Sequence, residues 1–335
     1  MFREAAQAPG IVRAQISRNQ NTMPALGAWL RGIAPRVVVT AARGSSDHAA
    51  TFAKYVLETR MGLLTSSAAP SVSSIYGSRQ DLRDCLFLAI SQSGRSPDLL
   101  SAAEAAGAAG AAVIAVVNDD TSPLAALADH VVRLCAGAEE SVAATKSYLA
   151  SLAALLHLCA EWSADAKLLA ALRTAPQRME DAWLQDWTEA VALLQPATHL
   201  YVIARGVGLA VAQEAALKCK ETCGLHAEAF SAAEVKHGPQ ALLGERFPAL
   251  VLVQDDESRA GTEELALELV ARGVPVMIAG AAVPGAVVLP TVEADAAIAP
   301  LLLAQSFYRM ANALAIARGF DPDNPPHLRK VTETR

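Results

Sequence analysis

The 335-residue sequence predicts an α/β protein built as two tandem three-layer α/β/α sandwiches with parallel sheets, and three observations carry that expectation. Short aliphatic runs of five or six residues alternate with helical patterns, as strands covered on both faces do. The pattern occurs twice: residues 36–42 (RVVVTAA) end in Arg43-Gly44 before a helical stretch over 48–58, and residues 199–204 (HLYVIA) end in Arg205-Gly206 before a helix reaching Glu221. The next elements match too, with CLFLAI (85–90), a helix to Gly110 and a strand at 112–117 in one copy, and PALVLV (248–253), a helix to Gly273 and a strand at 274–278 in the other. Each copy therefore reads as flavodoxin-like.

In chain order, residues 1–34 form a helical segment expected to pack across one sandwich, and residues 35–160 form the first sandwich. A charged, Trp-containing helical linker occupies 161–195, and the second sandwich spans 196–320. The run Asp-Pro-Asp-Asn-Pro-Pro at 321–326 cannot lie inside a helix or strand, so residues 321–335 run as an extended tail.

Composition narrows the function. Hydrophobic residues make up 53% of the chain, and the Ala-rich stretch 101–117 is broken by Glu104 and two glycines and read as buried helix and strand, so no membrane partner is expected. The N-terminus carries Arg3, Glu4 and Arg13 with no apolar signal core, which points to the cytoplasm. A net charge of -6 without a Lys/Arg run excludes nucleic acid as an expected partner. Five cysteines at irregular spacing fit a reduced compartment; Cys219 and Cys223 are four apart but lack a second ligand pair, so they read as structural and no metal or cofactor is expected.

Two regions carry chemistry. Between Glu214 and Pro239 the sequence EAALKCKETCGLHAEAFSAAEVKHGP places Glu214, Lys218 and Glu221 four and three apart, on one helix face, and then turns at Cys223-Gly224-Leu225 to deliver His226, Glu228 and His237 beyond the helix. Glu and His are the usual groups for moving protons at neutral pH, whereas an exposed salt-bridged helix is the alternative reading of the charges. After CLFLAI, the loop Ser91-Gln92-Ser93-Gly94-Arg95-Ser96-Pro97 stands at the carboxyl end of a strand, with Ser96 expected to cap the helix begun by Pro97. Its hydroxyls, glycine and helix-start amides suit an anion such as a phosphate. Gly44-Ser45-Ser46 holds the equivalent place after the first strand, and Ser141-Val142-Ala143-Ala144-Thr145-Lys146 precedes a further helix that Ser141 could cap. The second copy has Gln254-Asp255-Asp256-Glu257 instead, whose acids would repel phosphate.

Together the Ser91-Gln92-Ser93-Gly94 loop, His226-Ala227-Glu228, Lys236-His237-Gly238-Pro239 and the tail from Asp323 to Lys330 resemble the SIS (sugar isomerase) family, in particular the isomerase half of glucosamine-6-phosphate synthase, over essentially the whole chain. The resemblance implies a double SIS domain in which Gly44, Ser45, Ser46, Ser91, Gln92, Ser93, Ser96, Ala143 and Ala144 hold a phosphosugar. It further implies that Glu221 moves a proton between C1 and C2, that His237 assists ring opening from a neighbouring subunit of a homodimer, and that Lys218 and Lys330 work at the carbonyl end, Lys330 by an imine with the ketose. Met1-Phe2 lacks the synthase's nucleophilic cysteine, and Gly94-Arg95-Ser96-Pro97-Asp98 is similar to the stand-alone deaminase branch. The expected activity is conversion of glucosamine 6-phosphate to fructose 6-phosphate and ammonia. A deglycase, an isomerase of another phosphosugar, and a non-catalytic sugar-phosphate sensor are the alternatives.

Overall fold

Ten strands form two separate parallel sheets in the computed structural model, which describes residues 1–330; residues 331–335, the end of the expected tail, lie outside the described residues. Strands β1 (Val37–Ala41), β2 (Thr65–Ser67), β3 (Cys85–Ser91), β4 (Ala112–Val117) and β5 (His130–Arg133) pair in the order β2-β1-β3-β4-β5. Strands β6 (His199–Ala204), β7 (His226–Ser231), β8 (Ala249–Leu252), β9 (Val276–Ala279) and β10 (Val287–Leu289) pair in the order β10-β9-β8-β6-β7. Every pairing is parallel. In each sheet the chain steps to one side of its first strand and then to the other, so a switch crevice opens between β1 and β3 and between β6 and β8.

The chain divides into two compact units, one of Gly10–Glu139 and Lys146–Arg173 with the segment from Arg329, the other of Met1–Pro9, Glu140–Thr145 and Thr174–Leu328. The first-sheet unit buries Val39, Phe87, Val113 and Val117 against Leu99, Ala102 and Ala106 of helix Pro97–Ala108. Helix Lys146–Ser163, apolar almost all round, packs with helices Thr22–Ile33 and Ser45–Met61. A side chain on Gly27 would put its Cβ 2.6 Å from the Glu161 carbonyl oxygen, so the glycine sets how closely two of these helices approach. The second-sheet unit buries Tyr201, Ile203, Val251 and Ile278 against Leu265 and Leu269 of helix Arg259–Ala271, while helices Leu209–Cys223 and Ala299–Ala317 pack together. Each such large apolar side chain contributes about 1.5–3 kcal/mol on burial.

Several local expectations are corrected. The N-terminal segment is two helices, Phe2–Arg18 and Thr22–Ile33, and the first does not join one sandwich alone: the unit division falls within it at Pro9–Gly10. His226 and Glu228 lie not on a loop but on β7, which pairs with β6 in register His199 with His226 and Tyr201 with Glu228. The helix-to-strand reversal is possible in two residues because Gly224 takes φ 56°, and a Cβ there would lie 2.3 Å from the Phe320 ring. Among the described residues no helix is long and apolar enough to cross a membrane.

Candidate functional site

In the first-sheet unit, two loops meet the switch crevice. After β1, Gly44 adopts φ 56° and opens helix Ser45–Met61, whose start carries no side-chain cap; Ser45 and Ser46 sit half-buried in its first turn. After β3, Ser91 is buried and its Oγ accepts from the Gly94 N–H at 3.0 Å, which folds the loop back on itself. Gly94 has φ 62° and passes so close to Ser122 that a Cβ would stand 2.2 Å from its Oγ, so only glycine fits. Gln92 and Ser93 are half-buried, and Ser93 Oγ accepts from the Arg95 N–H at 3.4 Å.

Ser96 does stand at the cap position of helix Pro97–Ala108, but its side chain makes no capping hydrogen bond. The expected cap is thus a backbone one, and the hydroxyl is not used by the helix. The Arg95 guanidinium pairs with Asp119 at 2.9 Å. A different arginine organises the loops: Arg43 reaches the 2%-exposed Asp98 through Nε at 2.9 Å and Nη2 at 2.8 Å. This two-pronged link ties the loop after β1 to the helix start after β3. Sequence reasoning missed it, because matching an acid in a helix first turn to an arginine after the neighbouring strand requires the sheet order, which the sequence does not show. In the same unit, Lys330 Nζ donates to Glu139 Oε2 at 3.1 Å.

In the second-sheet unit, Ser141 caps no helix: its Oγ lies 2.5 Å from Asp323 Oδ1, the Val142 N–H donates to the Asp323 carbonyl at 3.2 Å, and helix Lys146–Ser163 begins five residues later. Ala143 is buried and Ala144 half-buried. Helix Leu209–Cys223 carries the charged cluster. Lys218 is 0% exposed, with its ammonium 3.5 Å from Glu214 Oε1 and hydrogen-bonded to Glu221 Oε2. Glu214, itself buried, accepts from the Tyr308 hydroxyl at 2.9 Å, and the Glu221 side chain keeps 22% exposure. The alternative of an exposed salt-bridged helix is therefore overturned, because the central charge is wholly inside. A buried ion pair adds little to stability compared with apolar packing.

His237 lies in the turn after the short helix Ala232–Val235, exposed, with its backbone N–H donating to the Glu234 carbonyl at 2.9 Å. The crevice between β6 and β8 is filled by the protein itself: the Gln254 amide nitrogen donates to the Arg205 carbonyl at 2.6 Å and to Asp256 and Ser258 at 3.0 Å each. Cys219 and Cys223 are fully buried and their thiols are pushed up by desolvation, while burial pushes Cys159 up to about 12. Neutral thiols in apolar surroundings are inert, as the structural reading of these cysteines requires.

The SIS domain model matches residues 34–160 and 193–282. The chain belongs to the SIS domain family. This SIS chain is 35% identical over 321 residues to the isomerizing glutamine–fructose-6-phosphate aminotransferase of Aeropyrum pernix, covering 89% of the chain and 51% of that protein. It is 33% identical over 348 residues to the aminotransferase of the same name from Pyrobaculum aerophilum, covering 98% of the chain and 55% of that protein. The chain thus spans about half the length of the curated relatives it matches. Among solved structures, a candidate phosphosugar isomerase from Silicibacter pomeroyi DSS-3 superposes with a TM-score of 0.93 at 42% identity, over 96% of this chain and 99% of that one. The C-terminal domain of the Francisella tularensis glucosamine–fructose-6-phosphate aminotransferase shares the fold, with a TM-score of 0.87 at 24% identity over 96% and 97% of the two chains.

Proposed function

We propose that this SIS protein is a phosphosugar isomerase that deaminates glucosamine 6-phosphate to fructose 6-phosphate and ammonia. The observation that carries the reading is the buried Lys218 ammonium held by Glu214 and Glu221 on one helix. Glu221 is the partly exposed member of that trio and so the one able to meet a substrate. The loops bearing Gly44, Ser45, Ser46, Ser91, Gln92, Ser93 and Ser96 hold the phosphate, with Ala143 and Ala144 contributing to the sugar pocket. After ring opening assisted by His237, Glu221 takes the C2 proton of the 2-amino aldose and a proton is returned at C1. The resulting C2 imine is hydrolysed by water, which releases ammonia and leaves the ketone of fructose 6-phosphate. Lys218 steadies the oxygen at C1, and Lys330 engages the ketose carbonyl. The partner subunit of a homodimer supplies His237.

Ammonia release measured on glucosamine 6-phosphate, galactosamine 6-phosphate and a fructosamine phosphate tests the reading. Glucosamine 6-phosphate should be the best substrate, and Glu221→Gln should cut its turnover by about 10² to 10⁴-fold while phosphosugar binding persists. Faster release from a fructosamine phosphate would make the protein a deglycase. Binding without turnover of any of the three would make it a sensor.

A further inference from the structure

Glu139 lies in the first-sheet unit between β5 and helix Lys146–Ser163, and its carboxylate is fully buried. A buried carboxylate is costly unless it is hydrogen-bonded and paired. Glu139 meets both conditions. Its Oε1 accepts from the Ser147 N–H at 3.2 Å, and its Oε2 accepts from the Ser147 hydroxyl at 2.6 Å and from Lys330 Nζ at 3.1 Å. Ser147 is the second residue of its helix, so the carboxylate also sits against the positive end of the helix dipole. One side chain therefore closes the chain between residues 139 and 147, the stretch that carries Ala143 and Ala144, and also holds an ammonium from the far end of the sequence.

That ammonium ends a segment held upstream, where Asp323 bonds to Ser141 and Val142 and Pro322 and Pro325 are buried, but exposed over the residues just before the lysine. Residues 320–330 form no helix or strand, and His327, Leu328 and Arg329 are all exposed, whereas Lys330 is 27% exposed and ends on Glu139. A lysine with four rotatable carbons on such a tail is normally solvated and explores many positions. Pairing with a carboxylate that is itself locked by two hydrogen bonds removes that freedom.

We propose that Glu139 is a positioning residue for Lys330, anchoring the tail lysine so that its amine is presented to the ketose carbonyl. This rests on the functional reading above. In the step concerned, the Lys330 ammonium first gives one proton to water, the neutral nitrogen adds to C2 of the ketose, its two remaining protons pass to the former carbonyl oxygen, and that oxygen leaves as water to give the imine. Borohydride then delivers hydride to C2 and water a proton to nitrogen, leaving a stable secondary amine on Lys330.

The test uses the full chain in two measurements. The first is borohydride trapping with fructose 6-phosphate, with the modified lysine located by peptide mass spectrometry. Glu139→Gln, which preserves shape and can still accept from Ser147, should lower trapping at Lys330 by about tenfold or more, while binding of the unreactive analogue glucitol 6-phosphate changes by less than about twofold. Glu139→Asp should recover part of the trapping. The second is amide hydrogen exchange of the 320–330 peptide without ligand, which should speed up in Glu139→Gln and equally in Lys330→Met, a variant that leaves Glu139 and Ser147 in place. Wild-type trapping in Glu139→Gln, or unchanged exchange in Lys330→Met, overturns the anchoring role. Absence of trapping at Lys330 in the wild-type protein overturns the ketose reading of that lysine and this inference with it. If Glu139→Gln does not fold, the exchange of Lys330→Met decides.

Discussion

Replacing Lys218 by Met should destabilise the protein by about 3–5 kcal/mol, the cost of leaving a buried charge without its partner. The structure sets the scale: the ammonium is 0% exposed and stands 3.5 Å from Glu214 Oε1, where the attraction is about 5 kcal/mol at an effective dielectric of 20. Methionine fills nearly the same volume, so a cavity adds little and the loss reports the charge. Glu214 is buried, and the Tyr308 hydroxyl that donates to it at 2.9 Å can share but not neutralise its charge. Glu221, with 22% exposure, can relax into water. Adding Glu214→Leu to Lys218→Met should therefore restore much of the stability, since an apolar pair of similar size replaces an ionic one at little net cost. Urea unfolding followed by circular dichroism measures this, with an unchanged denaturant slope confirming that a midpoint shift is a stability shift. A Lys218→Met protein within about 1 kcal/mol of wild type would refute the argument, because the trio would then hold no uncompensated charge when the lysine is gone.

Ser93→Ala should weaken phosphosugar binding by about 1–3 kcal/mol, roughly 5- to 150-fold, by calorimetry, whereas Asp255→Ala should leave it unchanged; equal losses would remove the anion site from the first-sheet unit. Mixing Glu221→Gln with His237→Ala protomers under exchange should restore part of the activity, since some mixed dimers carry one intact pair; mixed dimers that form yet stay dead would place both residues in one protomer's site. His157, 4% exposed on helix Lys146–Ser163, has its pKa lowered to about 4 by burial, with the Arg173 charge adding to the effect. A folded pKa below the unfolded 6.5 means that the unfolded chain binds the proton first, so stability is full above pH 6.5 and falls as pH drops toward 4, by about 3 kcal/mol in all. Thermal melts of His157→Phe should lose that part of the acid sensitivity, and an unchanged pH profile would show that the histidine does not resist charging.

The sequence disclosed what has a strong local cause. Runs such as CLFLAI and HLYVIA are buried on both faces and have no competing reading, and the Glu214, Lys218, Glu221 spacing followed from helix geometry alone. The short edge strands β2, β5, β7 and β10 were invisible because they are only three to six residues long, and β2 (TSS) and β7 (HAEAFS) carry no apolar run at all. Pairings across long sequence distance were equally hidden. Nothing in the neighbourhood of Arg43 names Asp98, and nothing near Lys330 names Glu139; both require the sheet order to be known first. The capping roles expected of Ser96 and Ser141 failed for the same reason, since tertiary partners and backbone conformation decided what those hydroxyls do.

The interleaved path of the chain has a consequence for how the protein is made. It passes from one unit to the other at Pro9–Gly10, Glu139–Glu140, Thr145–Lys146, Arg173–Thr174 and Leu328–Arg329, so neither unit is one continuous stretch. During synthesis the first sheet emerges whole by residue 133, yet the first nine residues must wait for partners such as Trp183, Gln305 and Asp323, which appear far later in the chain. The opening turn of helix Phe2–Arg18 is thus among the first segments to leave the ribosome and among the last to find its neighbours. Cutting the gene between the two sheets would leave the N-terminal fragment holding Met1–Pro9, Glu140–Thr145 and the residues from Thr174, all of which belong to the second-sheet unit, so co-expression of such halves, rather than either alone, is the route by which the fold can be reassembled from parts.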